Sequence, residues 1–469
     1  MSKLANLYVA ALMLVLCAGY SQAADWPNSG GNAGRNGLSA ELGPDTAQLL
    51  WNGGRSSLIA WQPVTEGTRV FMVRQPKWPY QQPGDSFVVA MDLDTGDELW
   101  AIELPYNDGD WITWIAGVRD GAVYASRAGN GASVSAKLFA LDVVDGGIIW
   151  ESDDLIDAGA YDGVVFAPNG DLIVASFRNV MRISAFDGST VWDSPRLGSV
   201  SGNCGAAATD EAVYVVDAVG GGHEVVRYDM ATGFEMYASD VMPGFTLQNT
   251  PMVGPDGTIY VSRTQNNATV DFFYAFSDDG VSFSEKWNIP AGWSTSSEFG
   301  VGPDGSVYMM APGDELVRLD PETGTVIDTA GVIPDFSKPR MAIDAAGRVY
   351  FSNGAFATGR LYSFDADLME RWSVPVTNIN IGGPALGARG TLVVCGVGTD
   401  VRAYRTPRGD MNCDGNVNSY DIDGFICAIG ADCDYESGWP DCQRQYADCN
   451  ADGDLNAYDI DPFIELVGG

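Results

Sequence analysis

The sequence predicts an all-β fold, an eight-bladed β-propeller, followed by a small α-helical domain at the C-terminus. Two observations predict the propeller: a repeat with a fixed period, and short β-rich runs separated by Gly, Asp and Pro. A third observation sets the second domain apart, because acidic loops followed by short helical patterns replace the repeat near the C-terminus. We expect a signal peptide at residues 1–23, the propeller at 24–405 and the small domain at 406–469.

The repeat recurs with a period of about 45 residues. Each unit ends in an apolar strand, an Asp, a Gly turn and an aromatic residue, and residues 88–100 show this pattern in full. Further copies are residues 138–150, 183–192, 225–237, 272–287, 316–327 and 361–372. A β-rich run precedes each of these seven copies, and an eighth run follows the last copy: the runs are residues 69–73, 122–126, 171–175, 212–216, 258–262, 306–310, 348–352 and 391–395. These runs predict eight blades, with seven as the alternative.

The last blade lacks one strand at its C-terminal end. Its third strand is predicted at residues 401–404, after which the chain enters the small domain. Leu49, Leu50 and Trp51 have the same Leu-Trp ending as Leu99 and Trp100. We therefore expect an N-terminal strand to complete the last blade, which would close the ring and remove its open edge.

The repeat resembles a known family. Its Asp-x-x-Thr-Gly-x-x-x-Trp turn, and the opening from Asp25-Trp26-Pro27 through Gly37, are similar to the quinoprotein-like propeller repeat. Pyrroloquinoline-quinone alcohol dehydrogenases and non-catalytic outer-membrane assembly scaffolds share this repeat. The resemblance covers residues 25–405 and implies the fold more strongly than the function.

Quinone-dependent members of that family carry a disulfide between adjacent cysteines and a catalytic Asp beside calcium. This sequence has no adjacent cysteine pair, and its blades are close to minimal length. Its single histidine, His223, follows three glycines and is interpreted as a solvated loop residue, and no Gly-x-Ser-x-Gly elbow is present. We assign no catalytic residue and no organic cofactor.

Charge and the N-terminus limit where the protein acts. The chain has 62 acidic residues against 26 Lys and Arg, a formal net charge of −36 that repels nucleic acid and anionic membranes. Lys3, the apolar residues 7–16 and Ser21-Gln22-Ala23 fit a signal peptide, and no later stretch has the length of a membrane span. We expect a secreted or extracellular protein, with a periplasmic location as the alternative.

Two twelve-residue segments near the C-terminus have the donor pattern of calcium loops. Each has oxygen side chains at positions 1, 3, 5, 9 and 12, a Gly at position 6 and a backbone carbonyl at position 7. The predicted ligand residues are Asp410, Asn412, Asp414, Asn416, Asn418 and Asp421 in the first loop, and Asp448, Asn450, Asp452, Asp454, Asn456 and Asp459 in the second. The sequence therefore predicts two calcium ions.

The two loops end in Asp, and each is followed by a short helix at residues 421–426 and 459–464. Such duplicated loop-helix units resemble a type I dockerin over residues 410–467. The resemblance implies that calcium folds the domain, and that loop positions 10 and 11 contact a cohesin partner. Those positions are Ser419, Tyr420, Ala457 and Tyr458, and the tyrosines replace the small hydroxyl residues common in that family.

Five cysteines crowd into the same domain: Cys413, Cys427, Cys433, Cys442 and Cys449. Such density in an exported chain indicates disulfides, and an odd number leaves one free thiol. The insert between the loops departs from the usual dockerin pattern. Cys413–Cys442 is the first pairing we consider, and the other pairings are left open.

Two functions fit these features. The first is a non-catalytic binding or scaffold propeller, attached through its tail to a cohesin-like or envelope protein. The second is a secreted polysaccharide-acting enzyme of the glycoside hydrolase type, or a quinone-dependent dehydrogenase, on the same tail. Loop aromatics are candidates for a glycan or peptide surface, with ordinary packing as the alternative: Trp78, Tyr80, Trp111, Trp114 and Trp293.

Overall fold

A computed structural model describes residues 25–54, 62–76, 84, 86–105, 112–128, 135–156, 162–198, 205–244, 250–263, 271–291, 299–333, 341–353, 358–377, 383–396, 401–430, 433–440, 442–450 and 454–468. These residues belong to two compact units, one within 25–406 and one within 407–469. None of the helices in this part of the chain is long and apolar enough to span a membrane.

The first unit is a β-propeller whose described residues form eight sheets. The first strand of the chain, β1 (Leu49–Gly53), belongs to the last blade. Blade 1 contains β2 (Val64–Glu66), β3 (Arg69–Arg74), β4 (Phe87–Asp92) and β5 (Glu98–Ile102). Blade 2 contains β6 (Ile112–Arg119), β7 (Ala122–Ala128), β8 (Leu138–Asp142) and β9 (Ile148–Glu151). Blade 3 contains β10 (Val164–Phe166), β11 (Leu172–Ala175), β12 (Asn179–Ile183) and β13 (Thr190–Pro195).

The remaining blades repeat this order. Blade 4 contains β14 (Ala207–Ala208), β15 (Ala212–Val219), β16 (Gly222–Asp229), β17 (Glu235–Ala238) and a fifth strand, β18 (Met242–Pro243). Blade 5 contains β19 (Met252–Val253), β20 (Ile259–Arg263), β21 (Asp271–Asp278) and β22 (Phe283–Ala291). Blade 6 contains β23 (Gly300–Val301), β24 (Val307–Ala311), β25 (Glu315–Leu319) and β26 (Val326–Val332). Blade 7 contains β27 (Ala342–Ile343), β28 (Val349–Ser352), β29 (Thr358–Phe364) and β30 (Glu370–Thr377).

Blade 8 confirms the predicted closure of the ring. It contains β31 (Ala385–Gly387), β32 (Thr391–Cys395), β33 (Val401–Tyr404) and, as its outer strand, β1. Strand β1 pairs antiparallel with β33, with Asn52 opposite Arg402 and Gly53 opposite Val401. The prediction of eight blades, with an N-terminal strand completing the last one, is therefore correct.

The Trp of the repeat joins one blade to the next. The Trp51 indole N–H donates to the Leu93 carbonyl at 2.9 Å, and the Trp100 indole donates to Val143 at 3.1 Å. The turn glycine receives the ring: Gly96 has a φ of +74°, and a Cβ there would lie 2.6 Å from Trp51. A larger residue would clash with the indole and would be strained in this conformation. The Gly and the Trp of the repeat are therefore both needed for one blade to pack against the next.

Residues 26–38 lie along the propeller axis, which the sequence did not predict. The first strand of a blade is fully buried, as in β10, whereas the fourth is mostly exposed, as in β9, so the first strands lie innermost. Backbone hydrogen bonds join this segment to six innermost strands: Trp26–Thr65, Pro27–Val118, Ala33–Ala208, Gly34–Val253, Asn36–Val301 and Gly37–Ile343. The Asn28 side chain donates to Val164 of a seventh at 3.1 Å. The N-terminal segment thus holds the inner strands together.

Arg35 is the buried centre of this segment, with 1% of its surface exposed. Its guanidinium donates to the carbonyls of Ala206 at 2.5 Å, Asp162 at 2.5 Å and Gly163 at 3.0 Å. A fourth bond reaches the Ser29 carbonyl at 2.8 Å. These hydrogen bonds link blades 3 and 4 to the N-terminal segment and satisfy the buried charge.

The C-terminal unit is small and helical. It contains α1 (Ile422–Ile429), α2 (Tyr435–Gly438) and α3 (Ile460–Gly468), with 3-10 turns at Ser419–Asp421, Arg444–Ala447 and Ala457–Asp459. The helices predicted after the two loops are confirmed. Phe425 of α1 stacks on Phe463 of α3 with ring centroids 3.9 Å apart, so equivalent residues of the two repeats meet in the core. Buried Met411 and Tyr435 complete that core.

Two disulfides cross-link this unit. Cys413 is bonded to Cys442, as the sequence suggested, and Cys427 to Cys433. Cys449 is the half-buried free thiol of the domain, and burial raises its pKa to about 12. It is therefore protonated at neutral pH and weakly nucleophilic.

Candidate metal centre

The first loop wraps its own backbone around the carboxylate of its first residue. Asp410 is fully buried and accepts hydrogen bonds from the backbone N–H of Asp414 at 3.1 Å and of Gly415 at 2.9 Å. Asn412 accepts from the same Asp414 N–H at 2.9 Å. Gly415 adopts a φ of +89°, the sharp turn that position 6 requires. The side chains at positions 1 and 3 thus both accept from the backbone N–H at position 5.

Asp421 closes the first loop from its other end. Its fully buried carboxylate accepts from Met411 N–H at 2.7 Å and Asn412 N–H at 3.1 Å on one oxygen, and from Asn418 N–H at 2.8 Å on the other. Asn418 in turn caps the following 3-10 turn by accepting from Tyr420 N–H at 2.9 Å. The twelfth residue thus ties both ends of the loop together.

The second loop repeats this closure. The fully buried Asp459 accepts from Asn450 N–H at 3.2 Å and from Asn456 N–H at 3.0 Å. Asn456 caps the next turn through Tyr458 N–H at 2.8 Å. Asp448, at the first position, is buried and pairs with Arg408 at 2.8 Å. Asp452 lies outside the described residues.

Electrostatics distinguish the first loop from an ordinary Asx-rich turn. The pKa of Asp410 is raised to about 6, mainly by burial and also by the nearby charges of Asp421 and Asp414, against the backbone N–H groups that lower it. Carboxylates brought together in this way favour a cation between them, because a positive charge relieves their repulsion. The remaining predicted ligands, Asn416 and Asp454, are exposed at the loop surface.

The donor set is entirely oxygen, which suits a hard cation such as calcium. Within the described residues, no three His, Cys, Asp or Glu side chains are grouped closely enough to hold a metal ion by themselves. The loops therefore depend on Asn side chains and a backbone carbonyl as well as on carboxylates, as calcium loops do. The buried first and last residues and the all-oxygen chemistry of the donor set are compatible with calcium.

The predicted partner residues all lie on the surface of the unit. Ser419 and Ala457 are exposed, and Tyr420 and Tyr458 expose 79% and 80% of their surface. The structure adds two residues that the sequence analysis missed, Ile426 and Ile464, which are 60% and 59% exposed. Both lie at the same position of their repeat, six residues after the tyrosine, and this spacing could have identified them.

One expectation about the propeller is wrong. His223 is not a solvated loop residue: it lies in β16 and is 2% exposed, because β18 pairs with β16 and places Met242 opposite it. Trp114 is 2% exposed within the core of blades 1 to 3, which agrees with ordinary packing and not with a binding surface. The other aromatics of that hypothesis, Trp78, Tyr80, Trp111 and Trp293, lie outside the described residues.

One joint between blades replaces the Trp contact with a polar network. Tyr237 stands where the repeat has Trp, and its hydroxyl donates to Asp278 of the next blade. Tyr214 donates to the same carboxylate at 2.7 Å, and Arg227 donates to the Tyr237 hydroxyl at 2.8 Å. These hydrogen bonds join blades 4 and 5.

Eight blades of four or five strands, several of them joined by Trp contacts and the last one completed by the N-terminal strand, define a quinoprotein-like β-propeller. The chain belongs to the family described as outer membrane protein assembly factor BamB, whose pattern matches residues 84–327. The dockerin type I domain matches residues 408–465. No curated protein matches the chain.

Solved structures agree with the fold. The chain is similar to the C-terminal WD40 domain of Sif2, with a TM-score of 0.55 and 8% identity over 77% of this chain and 99% of that one. It is also similar to the computationally designed Ika8 protein, with a TM-score of 0.51 and 12% identity over 76% and 99%. Identities this low show the fold alone.

Proposed function

We propose that this protein is an exported, non-catalytic scaffold propeller that a calcium-folded, dockerin-like tail attaches to an extracellular or envelope assembly. The observation that carries this proposal is the duplicated loop, in which two buried Asp residues close an all-oxygen donor set beside a short helix. The match to the dockerin type I domain over residues 408–465 supports the same role.

Calcium would be held in the first loop by Asp410, Asn412, Asp414, Asn418 and Asp421 side chains and by the Asn416 carbonyl. The second loop would use Asp448, Asn450, Asp452, Asn456 and Asp459 with the Asp454 carbonyl. The ions would supply the positive charge that crowded, buried carboxylates require, so that binding contributes directly to folding. Two ions per chain follow from the duplication.

The partner is proposed to be a cohesin-type domain. Tyr420 and Ile426 in one repeat, and Tyr458 and Ile464 in the other, are large apolar side chains that are more than half exposed. Aromatic side chains exposed in this way are enriched at binding interfaces, where they bury area with little loss of conformational entropy. We assign contact with the partner to these residues together with Ser419 and Ala457.

The propeller is proposed to act as a rigid platform. Its axis is occupied by the N-terminal segment, which hydrogen-bonds to innermost strands of seven blades. The family to which the chain belongs is named for assembly of outer-membrane proteins, and this supports an assembly role at the envelope or outside the cell. The acidic surface charge favours solubility there.

Binding of the full-length, exported chain to an immobilised cohesin domain, with calcium and with a chelator, tests the proposal. We expect retention only with calcium, and loss of retention when Asp421 and Asp459 are both replaced by Ala. The variant with Tyr420→Ala and Tyr458→Ala should bind two calcium ions but should lose retention. Retention by that variant would mean that the partner contacts another surface, and calcium-independent retention would refute the role of calcium.

A further inference from the structure

The two loops of the C-terminal unit have the same donor pattern but different supports. Cys413 occupies position 4 of the first loop and forms a disulfide with Cys442, which lies 29 residues away with a Cα–Cα separation of 5.5 Å. The equivalent position of the second loop is Ala451. One loop is therefore cross-linked to the insert between the repeats, and the other is not.

Noncovalent contacts support the same end of the first loop. The buried Tyr435 hydroxyl donates to the Met411 carbonyl at 2.9 Å, and the Cys442 sulfur lies 3.4 Å from the Asp410 carbonyl oxygen. A Cβ on Gly424 would lie 2.8 Å from the Met411 side chain, so α1 packs closely against this segment. Positions 1, 2 and 4 of the loop are thus held by α1 and by the insert.

In the second loop, an arginine side chain already pairs with the first predicted ligand residue. The Arg408 guanidinium pairs with the Asp448 carboxylate at 2.8 Å and also donates to the Asp448 carbonyl. An ion entering this loop competes with that pair or shares its carboxylate. In the first loop, the Asp410 carboxylate instead accepts from the backbone N–H groups of Asp414 and Gly415, and these bonds leave lone pairs for a metal.

We infer that the Cys413–Cys442 disulfide makes the first loop the stronger calcium site of the two. Calcium binding requires the loop to be ordered, and a loop that is already ordered loses less conformational entropy when the ion binds. A cross-link that spans the insert removes disordered conformations of loop one but leaves loop two free. This inference rests on the proposed calcium role of the loops and assigns an order in which they fill.

The same unit supplies a matched control. The Cys427–Cys433 disulfide closes only six residues at the end of α1 and includes no residue of either loop. Its removal perturbs a disulfide of the same domain without releasing a calcium loop. We therefore compare Cys413→Ser/Cys442→Ser with Cys427→Ser/Cys433→Ser. This comparison distinguishes an effect on the order of the first loop from an effect on the stability of the whole domain.

The test is calorimetric titration of the full-length, calcium-free chain with calcium chloride. We expect two steps in the unchanged chain, and the tighter step should weaken by about tenfold or more in Cys413→Ser/Cys442→Ser. The weaker step in that variant, and both steps in the control, should stay within about threefold. Asp459→Ala, which disables loop two, should retain the tighter step, and Asp421→Ala should remove it.

Each other outcome overturns the inference. An equal loss in both double variants would mean that the disulfides act only on general stability. Loss of all binding in Cys413→Ser/Cys442→Ser at millimolar calcium would show that the cross-link is needed by the whole unit and not by one loop. If the unchanged chain binds no calcium, the proposed function itself fails, which this design distinguishes from failure of the inference.

Discussion

The propeller and the C-terminal unit bury acidic groups in different ways. In the propeller, buried carboxylates meet buried guanidinium groups: Asp217 pairs with Arg196 at 2.6 Å, and Asp344 pairs with Arg348 at 2.5 Å. In the C-terminal unit, Asp421 and Asp459 are fully buried and accept backbone N–H groups of their own loops. The propeller thus neutralises these buried carboxylates with its own arginines, whereas Asp421 and Asp459 of the small unit are held by backbone N–H groups.

Size explains why the two units differ. The propeller contains hydrophobic clusters that run from blade to blade, but the C-terminal unit has one cluster around Phe425 and Phe463. Domains of roughly 60 residues bury so little apolar surface that their cores rarely supply more than about 3–5 kcal/mol, and disulfides or metals often add to this. The small unit uses two disulfides and, under the proposed function, two ions.

Removal of calcium should produce the largest difference in stability between the two units. Chelation should unfold the C-terminal unit and leave the propeller folded, because the ions bind only the folded loops. At calcium concentrations 1,000-fold above the Kd, each ion contributes about 4 kcal/mol, which chelation removes. Limited proteolysis with mass spectrometry should show cleavage within residues 407–469 and protection of the propeller. Equal protection with and without chelator would contradict the prediction.

Replacement of a buried arginine should destabilise the propeller by a comparable free energy. Arg196→Ala leaves the Asp217 carboxylate, which is 1% exposed, without its partner. The expected loss of unfolding free energy is about 3–5 kcal/mol, measured by urea denaturation. The control is Glu322→Gln, whose partner Lys286 lies 3.1 Å away at the surface. This control should cost less than about 1 kcal/mol, and similar losses in both variants would argue against the buried pair.

The inter-blade Trp contacts should have a smaller effect. Trp51→Phe removes the indole hydrogen bond to Leu93, at an expected cost of about 1–2 kcal/mol in thermal or urea unfolding. Trp372 provides the matched control, because its indole N–H has no hydrogen-bond partner among the described residues. The Trp372→Phe variant should therefore be less destabilised than Trp51→Phe. The opposite order would mean that ring packing, and not the hydrogen bond, dominates.

The smallest expected effect is a pH dependence within the propeller. Burial raises the pKa of Glu66, and the charges of Asp25 and Asp120 raise it further, against the Gly121 N–H that lowers it. A raised folded-state pKa means that stability is lost as pH rises above 4.5 through that value. Glu66→Gln should remove this loss. The free energy of unfolding of the variant, relative to the unchanged chain, should increase as pH rises above 4.5. The increase should stay below about 1 kcal/mol, because Glu66 is only partly buried. A constant difference across pH would exclude Glu66 as the cause.

Local repetition explains what could be predicted from the sequence. Strands of a blade are neighbours in the chain, so residues 88–100 were enough to recognise the pattern, and Leu50-Trp51 repeated the ending that identified the closing strand. The calcium loops were recognisable because their donors lie within twelve residues. Cys413–Cys442 was one of several possible pairings, and the fold selects it by bringing the two Cα atoms to 5.5 Å.

Contacts between distant residues explain what could not be predicted. Asn36 donates to Val253 across 217 positions, and nothing in residues 26–38 has the alternation of a strand, so their place on the axis was not apparent. His223 was misassigned because its three preceding glycines indicate a turn. The turn is present, but β16 begins at Gly222 and the later strand β18 covers the imidazole.

The position of the N-terminal segment has a kinetic consequence. Asp45 reaches Arg348 across 303 positions, and Gln62 donates to Pro384 across 322, so the first residues synthesised bind among the last. Contacts of such long range slow folding, because a large loop must close before they form. The ring therefore cannot be completed until blade 8 is available, and until then the N-terminal segment remains without the blade 8 partners that it has in the folded propeller.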